Sequence, residues 1–306
     1  MTTIPVKRPG NIAGVSHPQL NHNGQAKKLQ PMLNDVRNAA KRDDQEGDFS
    51  PLDILLVEDS VVIRTVLSRL LKPHKVVMAG DGKEAVTILE KERFDIVLMD
   101  LLMPGMDGFG ATAVIRKREK GHRTPIIAMT ASALTDDRDQ CLAAGMDGYI
   151  AKPIQPDELR RTIQRFAHAQ NRSTSEQVAD ENHSSVKIQP SADVIDLELA
   201  RRQIPGGEQG VREMAQLLFD QCPTMILEIQ AALMDRDEKR VQRAAHSLKG
   251  SADIFGARHV VDAARRIEWA GKQGDVDGAA ETMPELREQV SQLRSALAAM
   301  AAASPP

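Results

Sequence analysis

Four short apolar segments in the first half of the sequence each lead into polar residues that could take part in phosphoryl chemistry. The residues at these segment ends are Glu58 and Asp59, then Asp100, Thr130 and Lys152. Three carboxylates that converge repel one another unless a hard cation lies among them, and a set of oxygen ligands suits Mg²⁺. A hydroxyl and an ammonium group beside them would bind the oxygens of an incoming anion. The residues therefore predict a phosphoryl-transfer site with a carboxylate nucleophile, Mg²⁺ and donors for the phosphoryl oxygens.

The elements that must position these residues alternate regularly along the chain. Short apolar runs, some of them rich in β-branched residues, occupy 53–57, 75–79, 95–99, 125–129 and 148–151. Patterns with helical periodicity lie between and after them at 61–72, 83–92, 109–120, 134–144 and 156–168. Apolar strands that alternate with helices predict a parallel sheet covered on both faces. The carboxyl ends of such strands share one edge of the sheet, where ligands bind.

Each polar residue also has a purely structural interpretation. Glu58, Asp59 and Ser60 could cap the following helix. Asp100 and Thr130 could be turn and cap residues, and Lys152 could be a surface charge. The functional interpretation is favoured because all four segment ends are polar at once, with suitable chemistry at each.

A histidine in the second half of the sequence has the surroundings of a reactive side chain. At about 100° per residue, a helix over residues 241–255 gathers six apolar side chains in one sector: Val241, Ala244, Ala245, Leu248, Ala252 and Phe255. His246 falls on the opposite side, with Gln242, Lys249, Gly250 and Asp253 around it. The phase predicts that His246 faces water, that Lys249 favours an anionic group on the imidazole, and that Gly250 leaves room for the backbone of another protein. This helical phase argues against a histidine in the core. The lack of neighbouring metal ligands in the sequence argues against a metal site.

Four segments of the first half resemble the response-regulator receiver family. They are LLVED at 55–59, LMDLLMPGMDG at 98–108, IAMTA at 127–131 and AGMDGYIAKP at 144–153, and the resemblance covers residues 53 to about 168. It implies a doubly wound, flavodoxin-like α/β domain with a parallel five-stranded sheet. It also implies that Asp100 is the phosphoacceptor, that Asp59, Asp100 and the backbone carbonyl of Leu102 ligate Mg²⁺, and that Glu58 contributes through water.

The same resemblance implies roles for other residues near the strand ends. Thr130 and Lys152 would contact the phosphoryl oxygens, Tyr149 and Thr130 would form a conformational switch, and the bond between Lys152 and Pro153 would be cis. Leu102, two residues after the phosphoacceptor, has an apolar side chain that cannot orient a hydrolytic water. We therefore expect slow self-dephosphorylation, which suits a relay.

A second set of segments resembles the histidine-phosphotransfer (HPt) domain family over residues 194 to about 300. The segments are IPGG at 204–207, AHSLKGSA at 245–252 and RIE at 266–268. The resemblance implies an all-α antiparallel four-helix bundle, with His246 as the phosphorylated residue on an exposed helix. Helical patterns broken at 205–207, 235–237, 256 and 271–275 fit such a bundle. Asp253 departs from the family, which often has a neutral residue there, and its charge should weaken anion binding slightly.

The predicted organisation has four parts. Residues 1–50 form a disordered tail, in which 31–42 has the spacing of a nascent helix, and residues 51–168 form the receiver domain. A flexible linker follows at 169–194, and the HPt domain occupies 195–302.

The composition disfavours several classes of protein. A formal net charge of −3 leaves no basic excess for binding nucleic acid. The sequence has no apolar run of the roughly 20 residues that a membrane helix needs, and its amino end lacks the apolar stretch of a signal peptide. Cys141 and Cys222 do not form a C-x-x-C pair, which disfavours disulfides and structural zinc. We expect a reduced, cytoplasmic protein without a membrane segment or a nucleic-acid partner.

Together, these expectations predict a phosphorelay signalling protein. They do not predict an enzyme with a kinase domain, since the sequence shows no glycine-rich ATP-binding domain. Its predicted partners are a sensor histidine kinase upstream and a separate response-regulator receiver downstream. One rival is an aspartyl-nucleophile phosphatase, which needs an Asp-x-Asp arrangement after its first strand, where this chain has Glu58 and Asp59. The other is a scaffold that moves no phosphate, against which intact Asp100, Lys152 and His246 argue.

Overall fold

The computed structural model describes residues 50–130, 135–171 and 194–302, with side chains omitted at 135–137 and 168–171. The predicted tail up to residue 49, including the helical spacing at 31–42, lies outside the described residues, as does most of the predicted linker. Among the described helices, none is long and apolar enough to cross a membrane.

A parallel five-stranded sheet forms the first half of the described chain. Its strands are β1 (Asp53–Val57), β2 (Lys75–Ala79), β3 (Ile96–Asp100), β4 (Ile126–Thr130) and β5 (Gly148–Ala151), in the order β2-β1-β3-β4-β5. The fold class predicted from the apolar runs is confirmed. The third and fourth strands begin and end one residue later than predicted, because Asp100 pairs with Met129 and Thr130 pairs with Ala151 in the ladder.

Five helices accompany the sheet: α1 (Val61–Leu70), α2 (Gly82–Leu89), α3 (Gly108–Arg118), α4 (Thr135–Ala143) and α5 (Pro156–Asn171). The side chains of Ser60, Asp81 and Asp107 accept hydrogen bonds from backbone amides in the first turns of α1, α2 and α3. Such caps satisfy amides that have no partner within the helix. The prediction that α1 continues to residue 72 is wrong, since a residue before proline, here Pro73, is disfavoured in a helix.

Alternate residues of the central strands face two separate apolar cores. In β1, Leu55 and Val57 belong to one cluster, whereas Ile54 and Leu56 belong to the other. The second of these clusters also contains Val66 and Leu67 of α1 and continues without a break into the helical half of the chain. The sheet is therefore covered on both faces, and α1 joins the sheet's core to that of the bundle.

The second half of the described chain is a helical bundle. A short helix, α6 (Leu197–Gln203), precedes four long ones: α7 (Gly207–Met234), α8 (Glu238–Asp253), α9 (Arg258–Gln273) and α10 (Val276–Ala302). Short turns connect the long helices, as in an antiparallel bundle. The helical bundle predicted from the sequence patterns and the four long helices that the resemblance implies are confirmed, with α6 as an addition.

Gly271 lies inside α9, where the sequence predicts a break. The helix ends instead at Gly274, which has a left-handed backbone conformation with φ of 77°. A Cβ atom at Gly271 would lie 2.8 Å from the backbone nitrogen of Gln242 in α8. This glycine therefore allows the backbones of α8 and α9 to approach closely.

Candidate functional site

Three carboxylates converge at the carboxyl edge of the sheet. Glu58 and Asp59 directly follow β1, and Asp100 is the last residue of β3. One oxygen from each side chain lies within 4.8 Å of the others. Glu58 and Asp100 are each only 1% exposed, and burial raises the pKa of both carboxyl groups. Burial, reinforced by the charge of Asp100, raises the pKa of Asp59 to about 6.

Lys152 bridges two of these carboxylates. Its Nζ lies 2.8 Å from Oε2 of Glu58 and 3.0 Å from Oδ1 of Asp100. Burial disfavours the ammonium form, but the charges of Asp100 and Glu58 outweigh burial and raise the pKa of Lys152. Lys152 is therefore a fixed cation at the edge where a phosphoryl group would arrive.

The acidic cluster fits a hard divalent cation. One ammonium group faces three carboxylates, so the cluster keeps an excess of negative charge when all are ionised. Oδ2 of Asp100 is buried and has no hydrogen-bond partner, and a bound cation is one way in which such a buried oxygen is satisfied. Carboxylate oxygens are the ligands that Mg²⁺ prefers. The amide of Leu102 lies 3.4 Å from Oδ1 of Asp100, and a role for its carbonyl in holding the metal stays a prediction.

The other predicted receiver residues lie on neighbouring strands. Thr130 ends β4 and is buried, beside β5, which carries Tyr149. The ring of Tyr149 is half-buried, and its centre lies 5.9 Å from the guanidinium carbon of Arg138. The bond between Lys152 and Pro153 is cis, as predicted. A switch formed by Thr130 and Tyr149 stays a prediction.

Glu268 of α9 holds the imidazole of His246. Nδ1 of His246 lies 2.6 Å from Oε1 of Glu268, and Nζ of Lys249 lies 2.5 Å from Oε2 of the same carboxylate. Burial opposes ionisation of Glu268, but these hydrogen bonds and the nearby positive charges lower its pKa. An ionised carboxylate only accepts hydrogen bonds, so Nδ1 carries the proton. When the ring carries a single proton, its lone pair therefore lies on Nε2.

The prediction that His246 faces water is wrong. The helical phase of α8 is confirmed, because all six apolar positions are buried. His246 is nevertheless only 4% exposed, because α1 of the receiver half packs against this face of α8. A Cβ atom at Gly250 would lie 2.8 Å from Cδ1 of Ile63. The space beside Gly250 is thus filled by a side chain of the same chain.

Polar contacts also join the two halves of the chain. Oγ of Ser60 lies 2.9 Å from Oγ of Ser251, and a guanidinium nitrogen of Arg69 lies 2.7 Å from a carboxylate oxygen of Glu213. A positive charge on His246 would lower the pKa of both Glu58 and Asp100, which indicates that the acidic cluster and the histidine are neighbours.

One cavity lies between the edge of the sheet and the histidine. It has a volume of about 210 Å³ and is lined by Lys152, His246, Lys249, Gly250 and Asp253, together with apolar residues of α1. Three of the four residues predicted to surround His246 on the bundle surface therefore face this cavity. The fourth, Gln242, has its backbone against Gly271 of α9. Burial raises the pKa of Asp253.

The carboxylate of Glu268 beside the imidazole and the contact between Ser60 and Ser251 are not predicted from the sequence. Glu268 belongs to the RIE segment at 266–268, which was noted without a role for the carboxylate. Ser60 was visible only as a helix cap, and Ser251 only as part of a motif. Their contact joins residues 191 positions apart, for which a single sequence carries no signal.

Two family models match the chain. The response regulator receiver domain matches residues 54–164, and the Hpt domain matches residues 213–296. The second match begins after α6, so that helix lies outside it.

The curated relatives are much longer proteins. The signal transduction histidine-protein kinase BarA of Escherichia coli is 28% identical over 244 residues, which are 79% of this chain and 26% of BarA. The aerobic respiration control sensor protein ArcB of the same species is 27% identical over 253 residues, which are 81% of this chain and 31% of ArcB. The chain thus spans between a quarter and a third of the length of these relatives.

Among solved structures, the receiver domain of the sensor histidine kinase PA1611 from Pseudomonas aeruginosa is 45% identical to the matching part of the chain. The match covers 39% of this chain and 99% of that domain, with a TM-score of 0.37, and a magnesium ion is coordinated in the active site cleft of that protein. The two family matches agree with the sheet and the bundle described above. The chain belongs to the two-component phosphorelay proteins and joins a response regulator receiver domain to an Hpt domain.

Proposed function

We propose that the chain accepts a phosphoryl group on Asp100 and exchanges it with His246 of the same molecule. The observation that carries this proposal is the common cavity, which Lys152 of the receiver and His246 of the bundle both line. The phosphoryl donor upstream would be a sensor histidine kinase, and a separate response-regulator receiver downstream would exchange phosphate with His246. We also propose that the protein is located in the cytoplasm.

Asp100 has the properties of the first acceptor. Its carboxylate attacks the phosphorus of the donor, the bond from phosphorus to the donor's leaving group breaks, and an acyl phosphate forms. Lys152, already 3.0 Å from Oδ1, and Thr130 would bind the phosphoryl oxygens. Asp59, Asp100 and the carbonyl of Leu102 would hold Mg²⁺, with Glu58 acting through water. The bound ion would neutralise charge on the transferred group.

His246 has the properties of the second acceptor. Nε2 of the neutral imidazole attacks the phosphorus, the bond to the Asp100 oxygen breaks, and Asp100 leaves as a carboxylate beside Lys152. Nδ1 keeps its proton throughout, so the phosphorylated ring becomes cationic, and Glu268 stabilises that cation. No proton has to enter or leave the cavity.

Transfer within one molecule is expected to be independent of protein concentration. The predicted 26-residue linker would have a root-mean-square span of roughly 30 Å, which permits an effective concentration on the order of millimolar. The measurement is the rate at which phosphohistidine appears in the full chain after a pulse of acetyl phosphate, at several dilutions. A mixture of His246→Gln chains as donors and Asp100→Asn chains as acceptors supplies the matched reaction between molecules, whose rate should rise with concentration.

The alternative is a scaffold in which phosphorylation of Asp100 gates the binding of partners, without transfer to His246. In that case phosphohistidine would appear in the full chain only after a second protein is added. That result would contradict exchange within the molecule and leave the two sites independent.

Leu102→Asn is expected to shorten the lifetime of the phosphorylated Asp100 by about tenfold, because a side chain that orients the attacking water favours hydrolysis. The asparagine side chain can hydrogen-bond an attacking water, which leucine cannot do. The lifetime is measured in the His246→Gln background, where transfer cannot compete with hydrolysis. Leu102→Met is the control that changes shape without adding a hydrogen-bonding group. An unchanged lifetime in the asparagine variant would contradict the role given to Leu102.

A further inference from the structure

A hydrogen bond between two serine hydroxyls crosses the buried contact of the receiver with the bundle. Oγ of Ser60 lies 2.9 Å from Oγ of Ser251, and the two residues are 3% and 0% exposed, respectively. A second polar contact across this boundary in the described part of the chain, between Arg69 and Glu213, is partly exposed, and exposed ion pairs contribute little. The serine pair, by contrast, is buried on both sides of the boundary.

The direction of the bond follows from the number of protons available. Each hydroxyl has one proton to donate. Ser251 lies 2.8 Å from the carbonyl oxygen of Ser247 and donates to it, so Ser251 must accept from Ser60. Ser60 in turn accepts from the backbone amide of Ile63, at 3.3 Å. The result is a directed chain from the Ile63 amide through both hydroxyls to the Ser247 carbonyl.

Two residues of this chain of hydrogen bonds lie next to the reacting groups. Ser60 directly follows Asp59 of the acidic cluster, and Ser247 directly follows His246. A displacement of α8 along α1 by even part of a helical turn would break the bond and leave a buried hydroxyl proton without an acceptor. Such an orphan costs more than the bond contributes when made.

We propose that the pair of Ser60 and Ser251 sets the register of His246 against the receiver edge, and that it makes the receiver of this chain the preferred exchange partner of His246. Both serines are positioning residues and take no part in the chemistry. A receiver without a small hydroxyl-bearing residue after its acidic pair would not satisfy the same chain of hydrogen bonds. This inference rests on the proposed exchange between Asp100 and His246.

The proton count predicts unequal effects for the two single substitutions. In Ser251→Ala the buried proton of Ser60 loses its acceptor, and the rate of exchange within the full chain should fall by about tenfold. In Ser60→Ala the hydroxyl of Ser251 still donates to Ser247. The amide of Ile63 loses its cap acceptor, but that loss lies within the receiver and not across the boundary, so the fall in the exchange rate should be smaller. The double variant removes both hydroxyls and should recover most of the rate lost in Ser251→Ala. Ser251→Cys, with a weak acceptor of similar size, should be intermediate.

The experiment uses full chains, a pulse of acetyl phosphate and quenched-flow detection of phosphohistidine. Phosphorylation of Asp100 by acetyl phosphate is measured in parallel and should be equal in Ser251→Ala and the parent chain. Ser68→Ala and Ser295→Ala are matched controls, because each removes a hydroxyl bonded only to its own helix backbone. They should leave the exchange rate unchanged.

The outcomes separate this inference from the one on which it rests. Absence of exchange in the parent chain overturns the proposed function itself. If the parent chain exchanges phosphate but Ser251→Ala does so equally fast, the serine pair does not set the register. A double variant as slow as Ser251→Ala also overturns the inference, because a general loss of packing would give that result.

Discussion

Asp100→Ala is expected to abolish phosphorylation of the chain by acetyl phosphate and, with it, the appearance of phosphohistidine. The expected loss is complete because Asp100 is the proposed nucleophile, and Glu58 and Asp59 directly follow a different strand. The measurement is the uptake of a phosphoryl group that hydroxylamine removes. Asp100→Asn should give the same loss with the fold retained, because it keeps the side-chain volume and removes a charge that burial disfavours.

Asp107→Asn is the matched control for this experiment. Asp107 belongs to the same motif, but its side chain caps α3 through the amide of Gly110, at 2.7 Å. Asparagine caps a helix about as well as aspartate does, so phosphorylation should proceed at the parent rate. Uptake at the usual rate in Asp100→Ala would contradict the assignment of the phosphoacceptor.

Glu268→Gln is expected to slow phosphorylation of His246 by about ten- to a hundredfold, the range that corresponds to loss of a hydrogen bond to a charged group. The carboxylate now holds the proton on Nδ1, and it would stabilise the cationic phosphorylated ring. An amide carries no charge, and its NH₂ group can face Nδ1 and favour the wrong tautomer. Lys249 would also lose its ion-pair partner.

The readout for Glu268→Gln is the rate of phosphohistidine formation relative to the rate at which Asp100 is phosphorylated. The rate at which Asp100 is phosphorylated should be unchanged, because Glu268 lies on the bundle and not on the receiver. Glu285→Gln is the matched control, since Glu285 pairs with Arg266 at the surface of the bundle. Equal transfer rates in Glu268→Gln and the parent chain would show that the carboxylate does not position the imidazole.

The sequence alone predicted which polar residues of the receiver lie together at one edge of the sheet. Short apolar runs identified the strands, and the parallel arrangement required their carboxyl ends to share one edge. Glu58, Asp100 and Lys152 are therefore predicted to be neighbours. In the structure the ammonium group of Lys152 lies within hydrogen-bonding distance of both carboxylates. The end of β3 lies one residue beyond the predicted end, because Asp100 joins the ladder through its pairing with β4.

In the bundle, sequence periodicity correctly separated the buried face of α8 from the face that carries His246, because the apolar residues recur with the period of a helix. The tertiary structure alone decided what covers that second face. Close approach of α9 at Gly271 accompanies the contact of Glu268 with the imidazole, and packing of α1 brings Ser60 to Ser251 and buries His246. Periodicity assigns a residue to one side of its own helix, but it contains no information about which distant segment packs against that side.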